Sequence, residues 1–527
     1  MSATSTSASQ RAETIAELAR GSFDLLVIGG GILGISVAWT AAQAGLRVAM
    51  VDAGDFASAT SSASSKLVHG GLRYLQTGNL RLVAENHRER RALAQAIAPH
   101  LVTPLPFLIP VRRRGPHGAA KLGAGVFLYS ALSAFGDGVG RVITPAQAAR
   151  RVPALRADGL RAVAVYADHQ MNDSRMAIMT VRAAADAGAT VLNHAAVTGL
   201  RMAQGKVCGA HVRDQRSGTD FEISARLVLN ATGPWLDTVR RMEDPSARPV
   251  TRLSKGAHLV MRQRQPWQAA LTIPVDRYRV SFAIPWEDHL LLGTTDDEFR
   301  ADPGTVAVTQ ADTDQILFEA GHGIEAGQLR REDIVYAFAG LRVLPSGEGP
   351  SSAAKRETVV TEGSGGMLSV AGGKWTTYRR IGRHVLERLA RLQTPSPVAH
   401  LTQPPRAVPL PGLAAPGAVA RRLSAARDGM GLDPAVARHL ASHYGTLALD
   451  IARIVDADPA LGERIHPGGP DIWAQVTYAR DAEWACTVDD VLRRRTSLTV
   501  RGLATGDVRA RVSELLAPAA ALTGGLE

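Results

Sequence analysis

The amino-acid sequence predicts an α/β protein in which one α/β domain is interleaved with a mixed α+β domain and followed by an all-α C-terminal domain. Three observations lead to this prediction. A strand, a glycine-rich turn and a helix follow one another near the amino end, strands that run into glycines recur later, and the region after residue 416 is helical in pattern. The 527 residues suffice for two or three domains, and 45% hydrophobic with 21% charged residues is typical of soluble globular proteins.

The first elements form a compact β-α-β unit. Residues 23–28 are a short apolar run that ends at three glycines and predicts a buried strand. Residues 33–44 are rich in alanine with helical periodicity, and Gly45 stands where a helix would end. Residues 46–51 predict a second strand, which ends at Asp52.

The turn after the first strand, Gly29-Gly30-Gly31-Ile-Leu-Gly34, matches the pattern G-x-G-x-x-G. The pattern alone is weak, but here it follows a strand, opens a helix and precedes an acid, Asp52, by roughly twenty residues. Gly31 would let the backbone approach a pyrophosphate, whose charge the N–H groups at the helix start would bind. The context predicts a Rossmann-type dinucleotide site, with Asp52 on the ribose, and disfavours an ordinary helix start with a surface aspartate.

Glycine turns recur after two later strands, predicted over 226–230 and 366–372. A sheet edge close to a large extended cofactor needs such turns, so they favour FAD over NAD. The serine-rich segment 58–72 is a polar loop that offers hydroxyl and N–H groups to phosphate or ring atoms. The residues predicted to contact the cofactor are Gly29, Gly30, Gly31, Gly34, Asp52, Ser61, Ser62, Ser65, Lys66, Val197, Ala231, Thr232, Gly233, Gly372, Gly373 and Lys374.

The remaining chain is divided by its composition. The start is polar, rich in Ser and Thr, and without the apolar run of a secretory signal, so a flexible lead is expected there. Cys208 and Cys486 are too few for a disulfide framework, which favours a reducing cytosolic compartment. The predicted parts are the lead (1–22), the FAD-binding domain (23–100, 171–249 and 346–393), the substrate domain (101–170 and 250–345), a proline-rich linker (394–416) and the helical C-terminal domain (417–527).

The net charge of +11 suggests an anionic partner or a generally basic solvated surface. An anionic substrate, an acidic membrane and a nucleic acid would each fit. Nucleic acid is the weakest of the three, because the chain has no zinc-finger spacing and no basic stripe interleaved with aromatic residues. We therefore expect no nucleic-acid partner.

The segment TSSASSKLVHGGLRYL (60–75), together with the first glycine turn, resembles FAD-dependent glycerol-3-phosphate dehydrogenases, a family within the D-amino-acid-oxidase-like flavoproteins. The resemblance covers about 23–500, and its further segments appear in the family's order: NATGPW (230–235), KGAHLV (255–260), IPW (284–286), GTTD (293–296), GLRVL (340–344) and GGKWTTYR (372–379). Val343 stands where the family usually has proline and Trp375 where it usually has leucine, which puts only the local backbone in doubt.

The resemblance implies oxidation of sn-glycerol 3-phosphate to dihydroxyacetone phosphate, with hydride passing from C2 to flavin N5. Guanidinium and ammonium groups suit a phosphate dianion, although any single arginine is more often a solvated surface residue. The predicted substrate-binding residues are Arg73, Tyr74, His258, Arg342, Arg356, Lys374 and Thr376, and the predicted catalytic residues are His69, Arg342 and Lys374. His69 is the first candidate for the general base, and His258 is expected to orient the substrate.

The resemblance also implies a membrane quinone as electron acceptor and peripheral attachment to the cytoplasmic face of the membrane. The basic run 112–114 and Lys121 adjoin an apolar stretch that either lies at an anionic lipid interface or forms a buried helix. Oxygen as acceptor, a 2-hydroxy or amino acid as substrate, and an RNA-associated flavoprotein without dehydrogenase activity are the alternatives. The oligomeric state is left open, with a homodimer as one expectation.

Overall fold

The structure is a computed structural model that describes residues 7–75, 78–113, 115–276, 279–347, 358–391, 408–425 and 431–517. Its strands are β1 (Ser22–Ile28), β2 (Val48–Val51), β3 (Leu67–Val68), β4 (Val102–Arg112), β5 (Arg141–Ile143), β6 (Leu160–Met171), β7 (Thr190–Leu192), β8 (Ala195–Ala203), β9 (Lys206–Asp214), β10 (Asp220–Asn230), β11 (Thr251–Arg262), β12 (Ala270–Pro274), β13 (Val280–Trp286), β14 (His289–Gly293), β15 (Asp297–Phe299), β16 (Ile334–Pro345), β17 (Thr358–Glu362) and β18 (Leu368–Gly372). Its helices are α1 (Ser7–Arg20), α2 (Ile32–Gln43), α3 (Leu80–Ala92), α4 (Ala119–Leu132), α5 (Pro145–Ala149), α6 (Asp173–Asp186), α7 (Leu236–Glu243), α8 (Gln310–Ala320), α9 (Tyr378–Ala390), α10 (Pro416–Ser424), α11 (Pro434–Tyr444), α12 (Ala448–Ala457), α13 (Ala474–Ala482), α14 (Val488–Asp490) and α15 (Gly506–Leu516).

The first sheet has the strand order β17-β18-β10-β1-β2-β7, and the hairpin β8-β9 pairs with the start of β10. β1 is parallel to β2 and to β10. Its side chains alternate between two cores: Leu25 and Val27 pack with α2, α6 and α9, whereas Leu26 and Ile28 pack with α1 and the β8-β9 hairpin. Because the parallel strands β1, β2, β10 and β18 end at one edge, the turns that follow them meet there.

The second sheet has the order β15-β11-β14-β13-β12-β4-β6-β3, with β16 added to β11 and β5 to β6. β12 pairs with β4 in parallel, with Ala270 opposite Phe107. This pairing joins two stretches of chain that are separated in sequence by β7 to β10 of the first sheet. The interleaved α/β fold class predicted from the sequence is therefore confirmed.

The helices α10 to α15 form the C-terminal region, again as predicted. Leu440 and Tyr444 belong to one of its cores, and Val476 and Leu492 to the other. A π-helical turn over Val491–Arg495 follows α14, and it contacts α6 of the first domain. The C-terminal region is thus docked on the first domain.

The start of the chain differs from the prediction. A flexible lead was expected over 1–22, but residues 7–20 form α1. Leu18 is fully buried in the core beneath the first sheet, and Ile15 packs against that core. Arg11 forms an ion pair with Asp214. For residues 7–20 the prediction is wrong, because the mostly polar composition did not reveal the apolar face of α1, and residues 1–6 lie outside the described residues. The sequence also did not predict α8 and β8.

Candidate active site

A cavity of about 2540 Å³ extends from the edge where β1, β2, β10 and β18 end to strands β11, β13 and β16 of the second sheet. Pockets for small ligands have volumes of roughly 300–1,000 Å³. The cavity is therefore large enough for a dinucleotide together with a second ligand.

The glycine turn borders this cavity at the start of α2. Gly31 is the N-cap of α2, where it contributes no side-chain hydrogen bond. A β-carbon at Gly31 would have Ser61 Oγ, 3.4 Å away, as its nearest neighbour, so the space in front of the helix start is clear of protein. A β-carbon at Gly34 would instead collide with the carbonyl oxygen of Gly29. The turn fits a pyrophosphate at the positive end of the helix dipole.

Asp52 follows the end of β2 and lies beside the glycine turn. Its carboxylate accepts the backbone N–H groups of Gly30 at 2.6 Å and of Gly54 at 2.7 Å. Burial raises the pKa of Asp52 to about 6, against the opposing effect of those two N–H donors. The carboxylate lines the cavity, so ribose hydroxyls that bind there would stabilise its ionised form.

We expect the raised pKa of Asp52 to make cofactor binding dependent on pH. Below about pH 6 the Asp52 carboxyl is protonated in the apoprotein, and binding through the carboxylate then requires loss of a proton. We expect affinity for FAD to fall by up to about tenfold per pH unit below that value. Fluorescence titration of the apoprotein with FAD, repeated at several values between about pH 5 and 8, measures this change in affinity. Asp52→Asn should bind more weakly at neutral pH and lose the dependence. Equal affinity of the natural protein at both ends of the range would contradict this assignment.

Ser61 ties the helix start to the turn that follows β18. The Ser61 hydroxyl oxygen accepts a hydrogen bond from the N–H of Ile32 at 2.9 Å. The Ser61 carbonyl oxygen accepts one from Nε1–H of Trp375 at 3.0 Å. Trp375, one of the two departures from the family pattern, therefore stabilises the position of the serine-rich loop 58–72. The other departure, Val343, lies within β16 opposite Leu253 of β11.

On β16 of the second sheet, hydrogen-bond acceptors hold the guanidinium group of Arg342. Its Nη2 donates to Thr294 Oγ1 at 2.9 Å, and its Nη1 lies 3.3 Å from Asp296 Oδ1. The side chain is 21% exposed and borders the cavity. Lys374 also borders it, with Nζ 3.8 Å from the ring centre of Tyr74. Two cationic side chains thus face one cavity, a combination suited to an anion.

His69 follows β3 on the cavity wall and is held through its backbone. Its N–H donates to Thr376 Oγ1 at 3.2 Å, and the next N–H, of Gly70, donates to buried Asp168 at 2.9 Å. These contacts position the His69 loop, so Thr376 acts on the loop in addition to any role with substrate. His69 itself lines the cavity.

His258, in β11, has a different environment. Its Nε2 lies 2.9 Å from Ser65 Oγ, and its ring stacks on Phe338 with 4.9 Å between ring centres. Burial lowers the pKa of His258 to about 3, and the nearby charges of Arg342 and Lys66 add to the effect. A neutral imidazole with so low a pKa is a poor base, which favours the predicted orienting role.

Most of the predicted residues border the cavity: Gly29, Gly31, Asp52, Ser61, Ser65, His69, Tyr74, Val197, Ala231, Thr232, Gly233, His258, Arg342, Gly372, Gly373 and Lys374. Gly30, Gly34, Ser62, Lys66 and Thr376 are described by the structure but do not line it. Lys66 differs most from its prediction, because its Nζ is buried in an ion pair with Asp173 at 2.6 Å. The side chain of Arg73 and all of Arg356 lie outside the described residues.

Sequence reasoning missed Arg279, which borders the cavity beside Arg342. Its Nη2 donates to the carbonyl oxygen of Thr294, the residue whose hydroxyl group binds Arg342. Its Nε donates to Glu319 at 2.7 Å. A lone arginine before a strand was the only signal in the sequence, and its contacts with Thr294, which follows β14, and with Glu319 of α8 could not be predicted.

Comparison with known proteins identifies the class of protein to which the chain belongs. The sequence model of the family described as FAD dependent oxidoreductase matches residues 24–379, and that of the C-terminal domain of alpha-glycerophosphate oxidase matches residues 405–523. The fold and the glycine-lined cavity are thus those of an FAD-dependent oxidoreductase.

Individual relatives narrow this class. The chain is 35% identical over 516 residues to glycerol-3-phosphate dehydrogenase 2 of Mycobacterium tuberculosis. This alignment covers 97% of the present chain and 87% of the mycobacterial protein. A probable mitochondrial glycerol-3-phosphate dehydrogenase of Caenorhabditis elegans is 36% identical, over 93% and 69% of the two chains. The glycerol-3-phosphate dehydrogenase of Bacillus halodurans, solved with FAD, superposes with a TM-score of 0.75 at 27% identity over 96% of each chain. The chain belongs to the glycerol-3-phosphate dehydrogenase family of FAD-dependent oxidoreductases, and FAD is its cofactor.

Proposed function

We propose that this enzyme oxidises sn-glycerol 3-phosphate to dihydroxyacetone phosphate in this cavity, with Arg342, Lys374 and His69 contacting the substrate. The observation that carries the proposal is the placement of two cations and one imidazole on the wall of the cavity that the glycine turn borders. When bound, FAD supplies the acceptor for the hydride that leaves C2 of the substrate.

The residues of the chain divide the remaining work. Arg342, oriented by Thr294 and Asp296, binds the phosphate together with Lys374. His69 takes the proton of the C2 hydroxyl, and the anchoring of its loop keeps it in position. His258 stays neutral and orients the substrate. Arg73 and Arg356 remain proposed phosphate ligands from the sequence alone.

Anaerobic reduction of the flavin tests the proposal. Glycerol 3-phosphate added without oxygen should bleach the absorbance at about 450 nm, a wavelength set by the cofactor. Glycerol, which lacks the phosphate, should not do so at the same concentration. Bleaching by a 2-hydroxy or amino acid but not by glycerol 3-phosphate would replace the substrate assignment.

We also propose a membrane quinone as electron acceptor and peripheral attachment of the enzyme to an anionic membrane through α4. Phe127 and Leu128 of α4 are 52% and 43% exposed, and the Phe127 ring lies 5.7 Å from that of exposed Phe135. On the same helix, Lys121 is exposed and borders the cavity with Leu122. This arrangement offers a lipid-soluble acceptor a path from the bilayer to the cavity.

One face of α4, with Val126, Tyr129 and Ser130, is buried, and the exposed face with Phe127 is the one proposed to meet lipid. Among the described residues, no helix has the length and apolar character needed to cross a bilayer. A homodimer stays a prediction.

Replacing Phe127 and Phe135 with serine should weaken binding to vesicles of anionic phospholipid by about tenfold or more, because two apolar side chains would leave the interface. Sedimentation with the vesicles measures this. The matched control is Phe318→Ser on α8, where the side chain is 70% exposed. Equal binding of all three proteins would exclude α4 as the contact.

Turnover with a quinone analogue, compared with peroxide yield in air, distinguishes quinone from oxygen as acceptor.

A further inference from the structure

The loop 52–59, which begins at Asp52, lies between the glycine turn and the C-terminal region. On the inner side, the N–H of Ala57 donates to the carbonyl oxygen of Gly30 at 2.9 Å. The fully buried Phe56 ring lies 2.5 Å from the place that a β-carbon at Gly30 would occupy. The path of this loop and the shape of the glycine turn therefore depend on each other.

On the outer side, the loop is held by charge. The buried carboxylate of Asp55 accepts hydrogen bonds from Arg494 and from Arg495, the latter through Nη2 at 2.9 Å. Asn193 donates to the same carboxylate at 2.9 Å. Burial alone would raise the pKa of Asp55, but Arg495 and Arg494 outweigh it and hold that pKa below its usual value. Asp55 is thus a fixed anion at the centre of the contact between the two regions.

The two arginines are themselves held in place by the C-terminal region. Arg495 donates to the carbonyl oxygen of Glu483 at 2.6 Å, and Arg494 to Asp490 at 2.9 Å. The ring of Trp484 meets Phe56 edge-on, with 5.8 Å between ring centres. The C-terminal region therefore contacts the loop through both a buried ion cluster and an aromatic pair.

A metal ion is a poorer interpretation of the same cluster. Asp55, His194 and Asp490 place possible ligand atoms within 4.8 Å of one another. Both oxygens of Asp55, however, already accept hydrogen bonds from arginines, and a cation would have to displace these guanidinium groups.

We propose that the C-terminal region controls the retention of FAD, with Asp55, Arg494 and Arg495 as positioning residues that fix the loop carrying Asp52. None of the three borders the cavity, so they would act through the loop and not by contact with the cofactor. The inference rests on the assigned role of Asp52 toward the ribose, and it is independent of the substrate.

Release of FAD tests this proposal. Arg495→Met and the milder Arg494→Gln should each raise the FAD dissociation rate, by about tenfold or more for Arg495→Met, because small displacements of a binding group cost affinity steeply. The rate is followed as flavin fluorescence after dilution of the holoenzyme, and thermal unfolding of apoprotein and holoenzyme is measured in parallel.

The matched control is Arg175→Met. Arg175 forms a buried ion pair with Glu483 at 2.7 Å, between the same two regions but without contact to the loop 52–59. We expect this variant to lower the unfolding temperature while FAD leaves at the natural rate. Natural release rates in Arg495→Met and Arg494→Gln, or equal acceleration in Arg175→Met, would overturn the proposal. Failure of glycerol 3-phosphate to bleach the flavin would not affect it.

Discussion

Replacing Gly31 with valine is expected to remove FAD from the enzyme while leaving the chain folded. The nearest protein atom to a β-carbon at this position is 3.4 Å away, so the larger side chain would occupy the space of the pyrophosphate and not that of the protein. Hydrogen bonds to charged oxygens contribute about 1.5–3 kcal/mol each, and loss of two weakens binding about 100-fold or more. FAD content per chain and a fluorescence titration of the apoprotein measure the effect.

Two further glycines complete this experiment. Gly34→Ala should lose both FAD and thermal stability, because its β-carbon would collide with the backbone at Gly29. Gly506→Ala, at the start of α15 with no atom within 4 Å of the added carbon, should retain FAD. A yellow Gly31→Val protein with one FAD per chain would show that the pyrophosphate does not bind at the start of α2.

His69→Asn is expected to lower kcat by about 10²–10⁴-fold, the usual contribution of a general base. Asparagine keeps a polar side chain on the cavity wall but cannot accept the hydroxyl proton at neutral pH. FAD content should be unchanged, and the acid limb of the pH–rate profile should disappear. Rapid-mixing measurement of flavin reduction by glycerol 3-phosphate checks the step itself.

Two other histidines serve as comparisons. His258→Asn should raise KM more than it lowers kcat if its imidazole only orients the substrate. His211→Asn alters an exposed side chain on β9 and should match the natural enzyme. If His258→Asn lost kcat and His69→Asn did not, the base would have to be reassigned.

The features that the sequence predicted well are those encoded in neighbouring residues. Gly29, Gly31 and Asp52 belong to one strand-turn-helix-strand segment, so their common position could be predicted without any long-range contact. The fold class could be predicted because each later strand that ran into glycines indicated a further strand of the same sheet.

The features that were missed depend on partners far away in the chain. Lys66 adjoins a serine-rich loop and looked like a cofactor ligand, but Asp173 engages its ammonium group. Arg279 gained its place beside Arg342 only through Thr294. The helix α1 is stabilised by burial of Leu18 and by the Arg11–Asp214 pair, neither of which its polar composition reveals.

The interleaving of the two sheets has a consequence for synthesis of the chain on the ribosome. β1 cannot pair with β10 until all of β4 and β6 has emerged, and β18 joins β10 later still. Closing such long loops is slow, and unpaired strand edges promote aggregation in the meantime. A contiguous fragment that contains all strands of the first sheet, from β1 to β18, also contains every strand of the second sheet, so shorter excised pieces should be insoluble where the full chain folds.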